Sequence, residues 1–255
     1  MYKHYMYIHL ILYIYCMIKH YPTSNQAYGE FNGGDITENK PLGFPQDGGN
    51  LKPYSNLFYW AHAVAKKDSV IGLHPHRGFE IMSIVLEGNI QHYDTLLRQW
   101  IPLEKGDVQL IQSGSGISHA EAMQADSKIF QIWFNPDLRK TLSAPAKYLD
   151  VKAKDLPKEN NITTIVGENS TIKLDSENIE ITEIAFEVGN FQLPIEKEYY
   201  YSFYLIEGGL KIQQVHVQKD DFFIVLDEES LSYEVLAKGR MLCIKSPVTV
   251  SYPVY

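Results

Sequence analysis

Cysteine is scarce in this chain, and its scarcity limits the chemistry that the chain can support. Only Cys16 and Cys243 occur among 255 residues. Two isolated cysteines exclude a disulfide framework and any Cys-x-x-Cys metal or redox motif. We therefore expect a cytoplasmic protein that works in a reducing compartment.

Positive charge is also in short supply. Lys and Arg number 23 against 31 Asp and Glu, so the formal net charge is -8. Such a chain has no basic field that would attract a phosphate backbone, and we expect no direct nucleic-acid binding. The expected partners are small molecules, a metal ion or another protein, and the expected oligomeric state is a monomer.

A long apolar run is missing as well. The nearest approach lies between Lys3 and Lys19, where fifteen residues rich in Tyr, Ile, Leu and Met include two histidines. A helix that crosses a bilayer needs about 20 apolar residues, and no small-x-small cleavage site follows Cys16. We expect residues 1–28 to be an N-terminal extension outside the core fold. The alternatives are a signal or membrane anchor, and a packed strand or helix.

Long stretches of helical periodicity are rare, and short β-rich runs take their place. Runs such as 79–86 and 129–134 are separated by turn signals, for example Glu87-Gly88-Asn89 and Lys105-Gly106-Asp107. This pattern predicts an all-β chain of antiparallel strands, in a sandwich or a barrel. A short helix is expected around 138–143.

The second half of the chain resembles the first. Residues 84–88 (Ile-Val-Leu-Glu-Gly) correspond to 204–208 (Tyr-Leu-Ile-Glu-Gly), and residues 103–108 correspond to 217–222. An internal duplication of a small β-barrel explains both correspondences.

The segment between the two halves differs in composition from both. Residues 136–161 contain three prolines and a polar run, which are typical of a connection. We therefore expect a first domain over 29–150 and a second over 151–255.

Two short motifs carry metal-binding chemistry, His74-Pro75-His76 and His119-Ala120-Glu121. In an extended strand alternate side chains leave the same face, so both members of each pair can point at one ion. Three imidazoles and a carboxylate suit Fe(II), Mn, Ni, Cu or Zn and leave coordination positions open. A single His-x-His pair is more often a surface accident or a pair of core histidines. The second pair, after the glycine-rich turn 113–116, favours a metal site.

Counting from the repeated turns locates the counterparts of these four residues in the second half. They are, in the same order, Pro194, Glu196, Tyr233 and Val235. This set does not keep the ligand pattern. We expect the second domain to lack metal ligands and to be structural or to form a wall of the pocket.

Three segments of the first half closely resemble the pirin family of the cupin superfamily. They are 73–80 (Leu-His-Pro-His-Arg-Gly-Phe-Glu), 106–109 (Gly-Asp-Val-Gln) and 114–121 (Gly-Ser-Gly-Ile-Ser-His-Ala-Glu). The resemblance covers residues 29–150 and, more loosely, the second half. It implies a bicupin, in which two cupin-type antiparallel β-barrels are joined by short helical connections.

The same resemblance implies one non-haem iron in the first barrel, with His74, His76, His119 and Glu121 as its ligands. Fe(II) is the expected ion, with Mn, Ni, Cu or Zn as alternatives. Many cupins take a carboxylate four residues after the second histidine, and Glu80 occupies that position. The pirin pattern favours Glu121 as the ligand, and leaves Glu80 to hydrogen-bond a ligand imidazole or to be structural.

Other residues near the predicted strands have weaker signals. His62 and His92 could orient a ligand or donate a proton, although exposed or hydrogen-bonded structural roles are commoner. Several aromatic residues either line a pocket for a planar substrate or fill the barrel core. They are Phe58, Trp60, Phe79, Trp133 and Phe134.

The resemblance implies a metal-dependent oxidoreductase with quercetin 2,3-dioxygenase-like activity. Its substrates would be a flavonol, which is a small aromatic molecule, and O2. A flavonol can bind an open metal position through its hydroxyl or carbonyl oxygen, and Glu121 is then the expected proton acceptor and catalytic base. The alternative function is an iron- or redox-sensing regulatory protein that binds a transcription-related protein partner.

Overall fold

The computed structural model describes residues 17–255, which form three antiparallel sheets, one short α-helix and three single-turn 3-10 helices, Thr23–Asn25, Asn32–Gly34 and Ala153–Asp155. The all-β prediction is therefore confirmed. The first eleven strands are β1 Met17–Tyr21, β2 Ala27–Phe31, β3 Ile36–Leu42, β4 Leu57–Ala65, β5 Ser69–His76, β6 Glu80–Glu87, β7 Asn89–Asp94, β8 Trp100–Glu104, β9 Val108–Gln112, β10 Ile117–Met123 and β11 Lys128–Phe134. The next nine are β12 Lys147–Val151, β13 Lys158–Glu159, β14 Ile162–Val166, β15 Glu180–Phe186, β16 Gly189–Pro194, β17 Tyr199–Ile212, β18 Val215–Gln218, β19 Phe222–Leu226 and β20 Ser230–Pro247.

The first half of the chain forms two facing sheets. One has seven strands in the order β12-β9-β6-β11-β4-β3-β2, and the other has four in the order β5-β10-β7-β8. Val85 and Ile129 from the larger sheet pack with Ile90 and Met123 from the smaller one. This apolar layer lies between the two sheets. Its buried apolar area stabilises their packing against each other.

The second half forms one strongly curved sheet of nine strands. Its main path is β1-β19-β17-β20-β15-β14-β13, with β16 paired to β20 and β18 paired to β17. The inner face carries a core that includes Phe203, Leu205, Phe223 and Met241. None of the three sheets within residues 17–255 closes into a barrel by hydrogen bonding.

A second apolar layer joins the two halves. The outer face of the seven-stranded sheet packs against one face of the nine-stranded sheet, with Trp60 and Phe130 on one side and Tyr204 and Phe222 on the other. The Trp60 ring centroid lies 5.3 Å from that of Phe222, in an edge-on contact. Because all four rings are fully buried, the halves share one continuous core.

The N-terminal extension predicted over residues 1–28 is wrong for its second part. Strand β1 pairs with β19 of the second half, and Nε2 of His20 lies 2.8 Å from a carboxylate oxygen of Asp221. The outer edge of β19 offers backbone hydrogen bonds that only a strand can satisfy, and β1 takes them. The start of the extension, residues 1–16, lies outside the described residues.

The connection between the halves contains more structure than its prolines suggest. Helix α1 spans Leu138–Thr141, where a short helix was expected, and the Asp137 carboxylate accepts a hydrogen bond from the backbone N–H of Arg139 at its start. Strand β12 then pairs with β9 of the first half. Among residues 17–255, no helix is long and apolar enough to span a membrane.

We predict that Phe222→Ala lowers the free energy of unfolding by about 3–5 kcal/mol, because the fully buried ring leaves a cavity between the two halves. Urea denaturation measures the loss. Val188→Ala, at a side chain that is 68% exposed, is the control and should change stability by less than about 0.5 kcal/mol. Equal stability of the two variants would contradict the shared core.

Candidate metal centre

Strands β5 and β10 position the histidines of the candidate site. They pair antiparallel, with His119 directly opposite His74 and Ile117 opposite His76. Directly opposite residues share one face of the sheet, so the His-x-His pair and His119 point the same way. A register shift between His119 and Glu121 separates these two neighbours on β10. Such irregularities re-aim side chains.

The turn before β10 requires glycine at one position. Gly114 has a φ of +47°, and a Cβ atom there would collide with the carbonyl oxygen of Ala144. The turn can therefore approach the segment after helix α1 only without a side chain. The expectation that a glycine-rich turn precedes His119 agrees with this geometry.

The three imidazoles meet at one point. One ligand nitrogen from each of His74, His76 and His119 lies within 4.8 Å of the others. Nε2 of His76 is 2.9 Å from Nε2 of His119. Two nitrogens bound at right angles, each about 2.1 Å from one ion, would lie about 3.0 Å apart. The observed spacing therefore fits a shared ion.

The tautomer of His74 is fixed by the backbone. Its Nδ1–H donates to the carbonyl oxygen of Gly72 at 2.8 Å. A hydrogen bond at one ring nitrogen leaves the lone pair on the other, and this arrangement is usual for histidines that bind metals. Nε2 of His74 is thus the atom available for ligation.

Burial keeps the other two imidazoles uncharged. Desolvation, reinforced by the neighbouring imidazoles, lowers the pKa of His76 and of His119 to about 3 in each case. Both rings are therefore neutral at neutral pH. Neither ring has to lose a proton before its free nitrogen binds a cation.

Glu121 is fully buried but stands apart from the three-histidine group. Its carboxylate accepts hydrogen bonds from Oγ of Ser83 at 3.1 Å and from Nε2 of Gln131 at 2.8 Å. Gln131 is held in turn by the indole N–H of Trp133. The structure brings three of the four expected ligands together and ties the fourth to the seven-stranded sheet. The charge of Glu121 nevertheless raises the pKa of His76, so the carboxylate acts on the group electrostatically.

His92 lies beside the histidine group. It pairs with Glu121 across the β7–β10 ladder, and its ring centroid is 5.6 Å from that of His119. Nε2 of His92 donates to the Asp94 carboxylate at 2.8 Å, and both side chains are fully buried. The Nδ1 atoms of His92 and His119 are both buried without a hydrogen-bond partner among the described residues.

Glu80 belongs to a different part of the molecule. His76 ends β5 in the four-stranded sheet, whereas Glu80 begins β6 in the seven-stranded sheet. Its buried carboxylate accepts hydrogen bonds from Nε2 of Gln112, the backbone N–H groups of Asp175 and Ser176, and Oγ of Ser176. The position of Glu80 four residues after His76 does not bring it to the histidines, because the chain turns between β5 and β6. Its structural alternative fits these contacts.

His62 lies between the two halves. Its Nδ1 is 3.0 Å from the hydroxyl oxygen of Tyr204, and burial lowers its pKa to about 4. This agrees with the hydrogen-bonded structural role that was the commoner expectation.

The aromatic residues divide between the site and the core. The Trp133 ring lies 4.8 Å from that of His76, and Phe79 stands 5.4 Å from Trp133 and 4.7 Å from Phe58. Trp60, like Phe134, belongs instead to the layer between the halves. The rings of Trp133, Phe79 and Phe58 therefore form a wall beside the histidines.

Sequence reasoning missed the residues that hold Glu121 and His92. Ser83 and Gln131 are polar residues inside the apolar runs Ile-Met-Ser-Ile-Val and Ile-Phe-Gln-Ile-Trp. A polar side chain at an inward position of a buried strand is costly unless it is hydrogen-bonded. Their presence in these runs therefore indicated a polar partner inside the fold. Asp94 and Tyr148, which stacks on His92 at 4.8 Å, had no comparable signal.

The second half departs from the counted alignment. Counting placed Tyr233 opposite Pro194, as His119 is opposite His74, but the β16–β20 ladder pairs Pro194 with Ser230 and Tyr233 with Phe191. Hairpin lengths differ between the halves, and the register shifts with them. Among the described residues, the three histidines of the first half are the group that could hold a metal ion.

Comparison with known proteins agrees with this geometry. The family model described as Pirin matches residues 40–134, which include all four expected ligands. A Pseudomonas aeruginosa protein named "Putative quercetin 2,3-dioxygenase" is 31% identical over 182 residues, which is 68% of this chain and 75% of that protein. An Escherichia coli protein named "Quercetin 2,3-dioxygenase" is 22% identical over 204 residues, 78% of this chain and 85% of that protein. The chain therefore belongs to the pirin family.

Solved structures share the fold. The crystal structure of YhhW from Escherichia coli superposes with a TM-score of 0.78 at 19% identity, over 92% of this chain and 100% of that one. A second structure, described as bacterial pirin YhhW in complex with nickel(II), gives a TM-score of 0.76 at the same identity, over 91% of this chain and 100% of that one. At this identity the likeness concerns the fold alone.

We predict that the metal-free protein loses stability as the pH falls from about 6.5 toward 3. An unfolded histidine binds a proton below a pH of about 6.5, whereas His76 and His119 stay neutral in the fold down to about 3. The unfolded state then binds more protons, so the free energy of unfolding falls as the pH falls. Urea titrations in chelator at pH values of about 7 and 5 measure the change.

The matched variants are His119→Gln, which removes a buried ring, and His216→Gln, at an exposed position. His119→Gln should reduce the pH dependence of the free energy of unfolding, and His216→Gln should leave it unchanged. An unchanged slope in His119→Gln would show that burial does not hold this imidazole neutral.

We predict that Glu80→Ala lowers the free energy of unfolding by about 2–4 kcal/mol, because it leaves unpaired the buried backbone N–H and hydroxyl of Ser176 and the backbone N–H of Asp175. Metal affinity should not change. Glu104→Ala, at an exposed position, is the control for stability. A tenfold loss of metal affinity in Glu80→Ala would show that Glu80 contributes to the metal site.

Proposed function

We propose that this chain is a pirin-type dioxygenase with quercetin 2,3-dioxygenase-like activity, and that it uses a divalent metal ion, Fe(II), held by His74, His76, His119 and Glu121. The observation that carries the proposal is the 2.9 Å separation of two neutral imidazole nitrogens. Buried lone pairs at this distance repel each other unless a proton or a cation lies between them. The names of the related proteins support the reaction class.

The donor set fits the proposed ion. Neutral imidazoles and a carboxylate suit iron and other divalent first-row metals, and the absence of thiolate ligands distinguishes this group from a structural zinc site. A metal ion with four protein ligands supplies open positions for an oxygen-donating substrate and for O2. Glu121 can join the three imidazoles if its side chain leaves its hydrogen bonds to Ser83 and Gln131.

Glu121 is also the proposed proton acceptor. A flavonol must lose its hydroxyl proton before it reacts with O2, and a buried carboxylate next to the imidazoles can take that proton. Ser83 and Gln131 orient this carboxylate by hydrogen bonds. Because they are neutral donors, they hold the group without cancelling its charge.

The wall formed by Phe58, Phe79 and Trp133 supports a planar substrate. Stacked or edge-on aromatic contacts orient a flat ring system, and they exclude water from the space beside His76. Both effects favour a flavonol over a flexible polar substrate.

His92 and Asp94 are proposed to position His119. The buried Asp94 carboxylate fixes the tautomer of His92, and a water between the two Nδ1 atoms would pass this orientation to the ligand ring. Residues that hold ligand histidines in this way contribute to metal affinity.

The remaining parts of the proposal concern organisation. We propose that the two halves are cupin domains of a bicupin, over 29–150 and 151–255, and that the second holds no metal. The cytoplasm is its proposed location, supported by the two isolated cysteines.

We predict that protein loaded anaerobically with Fe(II) consumes O2 when quercetin is added, with one metal ion bound per chain. Oxygen electrode traces and elemental analysis measure the two quantities. His119→Ala should lose the metal and the activity without unfolding, because the second core does not include it. Glu121→Gln should lower kcat by about 10²–10⁴-fold, as expected for a catalytic base.

His216→Ala, at an exposed position, is the control and should retain both metal and activity. Full metal occupancy in His119→Ala would reject the assigned ligands. Metal-loaded protein that takes up no O2, but binds a protein partner only in one iron oxidation state, would replace the dioxygenase with the regulatory function.

A further inference from the structure

Three polar side chains form a row across the inner face of the seven-stranded sheet. Ser83 of β6 pairs directly with Gln131 of β11 on one side and with Gln109 of β9 on the other. Directly opposite residues share one face of a sheet, and their Cβ atoms lie about 4.5–5.5 Å apart. All three side chains therefore point into the space between the two sheets of the first half, where they face the Glu121 carboxylate.

Gln109 differs from the other two members of the row. Ser83 and Gln131 both donate hydrogen bonds to Glu121. Gln109 is fully buried, and neither its Nε2 nor its Oε1 has a hydrogen-bond partner among the described residues. A buried amide without hydrogen bonds is unfavourable, because it has lost its contacts with water and gained none in return. The observed state therefore leaves one amide of the row unused.

The proposed role of Glu121 changes what the row must do. Under the proposed function, on which this inference rests, Glu121 joins the three histidines on one ion. Its carboxylate then has to leave Ser83 and Gln131. Both donors would be buried without an acceptor, and this loss would oppose metal binding. A second acceptor within the row removes that opposition.

We propose that Gln109 is this second acceptor, and that it acts as a positioning residue for Glu121 by an exchange of hydrogen bonds. When the carboxylate moves to the metal, the Ser83 hydroxyl turns and donates to Oε1 of Gln109. The same hydroxyl accepts Nε2–H of Gln131 from the other side, because a serine oxygen both donates and accepts. Gln131 keeps its hydrogen bond from the indole N–H of Trp133, so the three side chains become one hydrogen-bonded row.

This exchange needs only the rotation of side chains. The three residues are already neighbours, and the ladders that join β9, β6 and β11 hold their backbones in place. A serine side chain has three staggered positions about χ1. The Ser83 hydroxyl can therefore face Glu121 in one state and Gln109 in the other.

The second half shows that the fold itself does not require this row. The repeat equates Ser83 with Phe203, and Phe203 of β17 pairs with Cys243 of β20 and with Phe223 of β19. The counterparts of Ser83, Gln131 and Gln109 are thus Phe203, Cys243 and Phe223. All three counterparts lie in an apolar core. The polar row thus accompanies the three-histidine group of the first half.

Equilibrium dialysis of the full chain against Fe(II) under nitrogen, together with urea denaturation of the metal-free protein, tests the exchange. Gln109→Met keeps the length of the side chain and removes the amide. Because Gln109 has no partner in the observed state, the metal-free variant should unfold at the same urea concentration as the wild type or at a higher one. Its affinity for Fe(II) should fall about 10-fold, as is usual when a residue that holds a metal ligand is lost.

Gln91→Met, at an exposed position on β7, is the control and should change neither quantity. A double-mutant cycle identifies the partner of Gln109. In the Ser83→Ala background, Gln109→Met should change the Fe(II) affinity by less than about twofold, because the hydroxyl that donates to the amide is absent. A lower urea midpoint of metal-free Gln109→Met would overturn the proposal, by showing that the amide is already bonded without metal. A full 10-fold loss in the Ser83→Ala background would overturn it as well.

Glu121→Gln separates this proposal from the proposed function. If Glu121→Gln weakens Fe(II) binding and Gln109→Met does not, the ligand assignment stands and the exchange is wrong. If Glu121→Gln binds Fe(II) as the wild type does, the assigned ligand set is wrong, and the exchange with it. These affinities do not depend on turnover, so they test the exchange even where quercetin is not a substrate.

Discussion

The antiparallel ladder between β5 and β10 is the constraint on which the candidate metal centre depends. It sets His74 opposite His119, and β10 is itself held on its other side by β7. Strand pairing on both sides of β10 fixes its backbone, so the imidazoles converge without a flexible loop. The three rings therefore lie close together, with ring centroids 4.5–4.7 Å apart. Burial lowers the pKa of His76 and of His119, so neither ring repels the others as a cation at neutral pH.

Inward-facing residues, and not the strands that carry them, distinguish the two halves. At equivalent positions the first half has Ser83 and Gln131, and the second has Phe203 and Cys243. The first pair holds the Glu121 carboxylate by hydrogen bonds. The second pair lies in an apolar core. At these two paired positions the first half therefore has a polar interior and the second a packed apolar one.

Local sequence patterns predicted the fold class and the three histidines, because both depend on spacing over a few residues. They did not predict contacts between distant segments. Glu80 binds Asp175 and Ser176, about a third of the chain away, and nothing in its own neighbourhood reports those donors. Strand β1 was missed for the same reason, since its partner β19 lies near the other end of the chain. The predicted register of the second half was wrong because register depends on hairpin length, which differs between the halves.

The two halves place their carboxylates in different electrostatic environments. A buried carboxylate is costly unless a positive charge or several hydrogen bonds compensate it. Glu121 is fully buried, its described hydrogen bonds come from a hydroxyl and an amide, and the ion pairs found within residues 17–255 include none to it. Burial lowers the pKa of His76 and of His119, so these two imidazoles supply no charge at neutral pH. In the second half Glu180 and Glu196 both pair with Lys245, and their side chains are 56% exposed, so water solvates them as well. The first half thus buries a carboxylate that no described lysine or arginine pairs with, whereas the second half keeps its carboxylates at the surface beside a lysine.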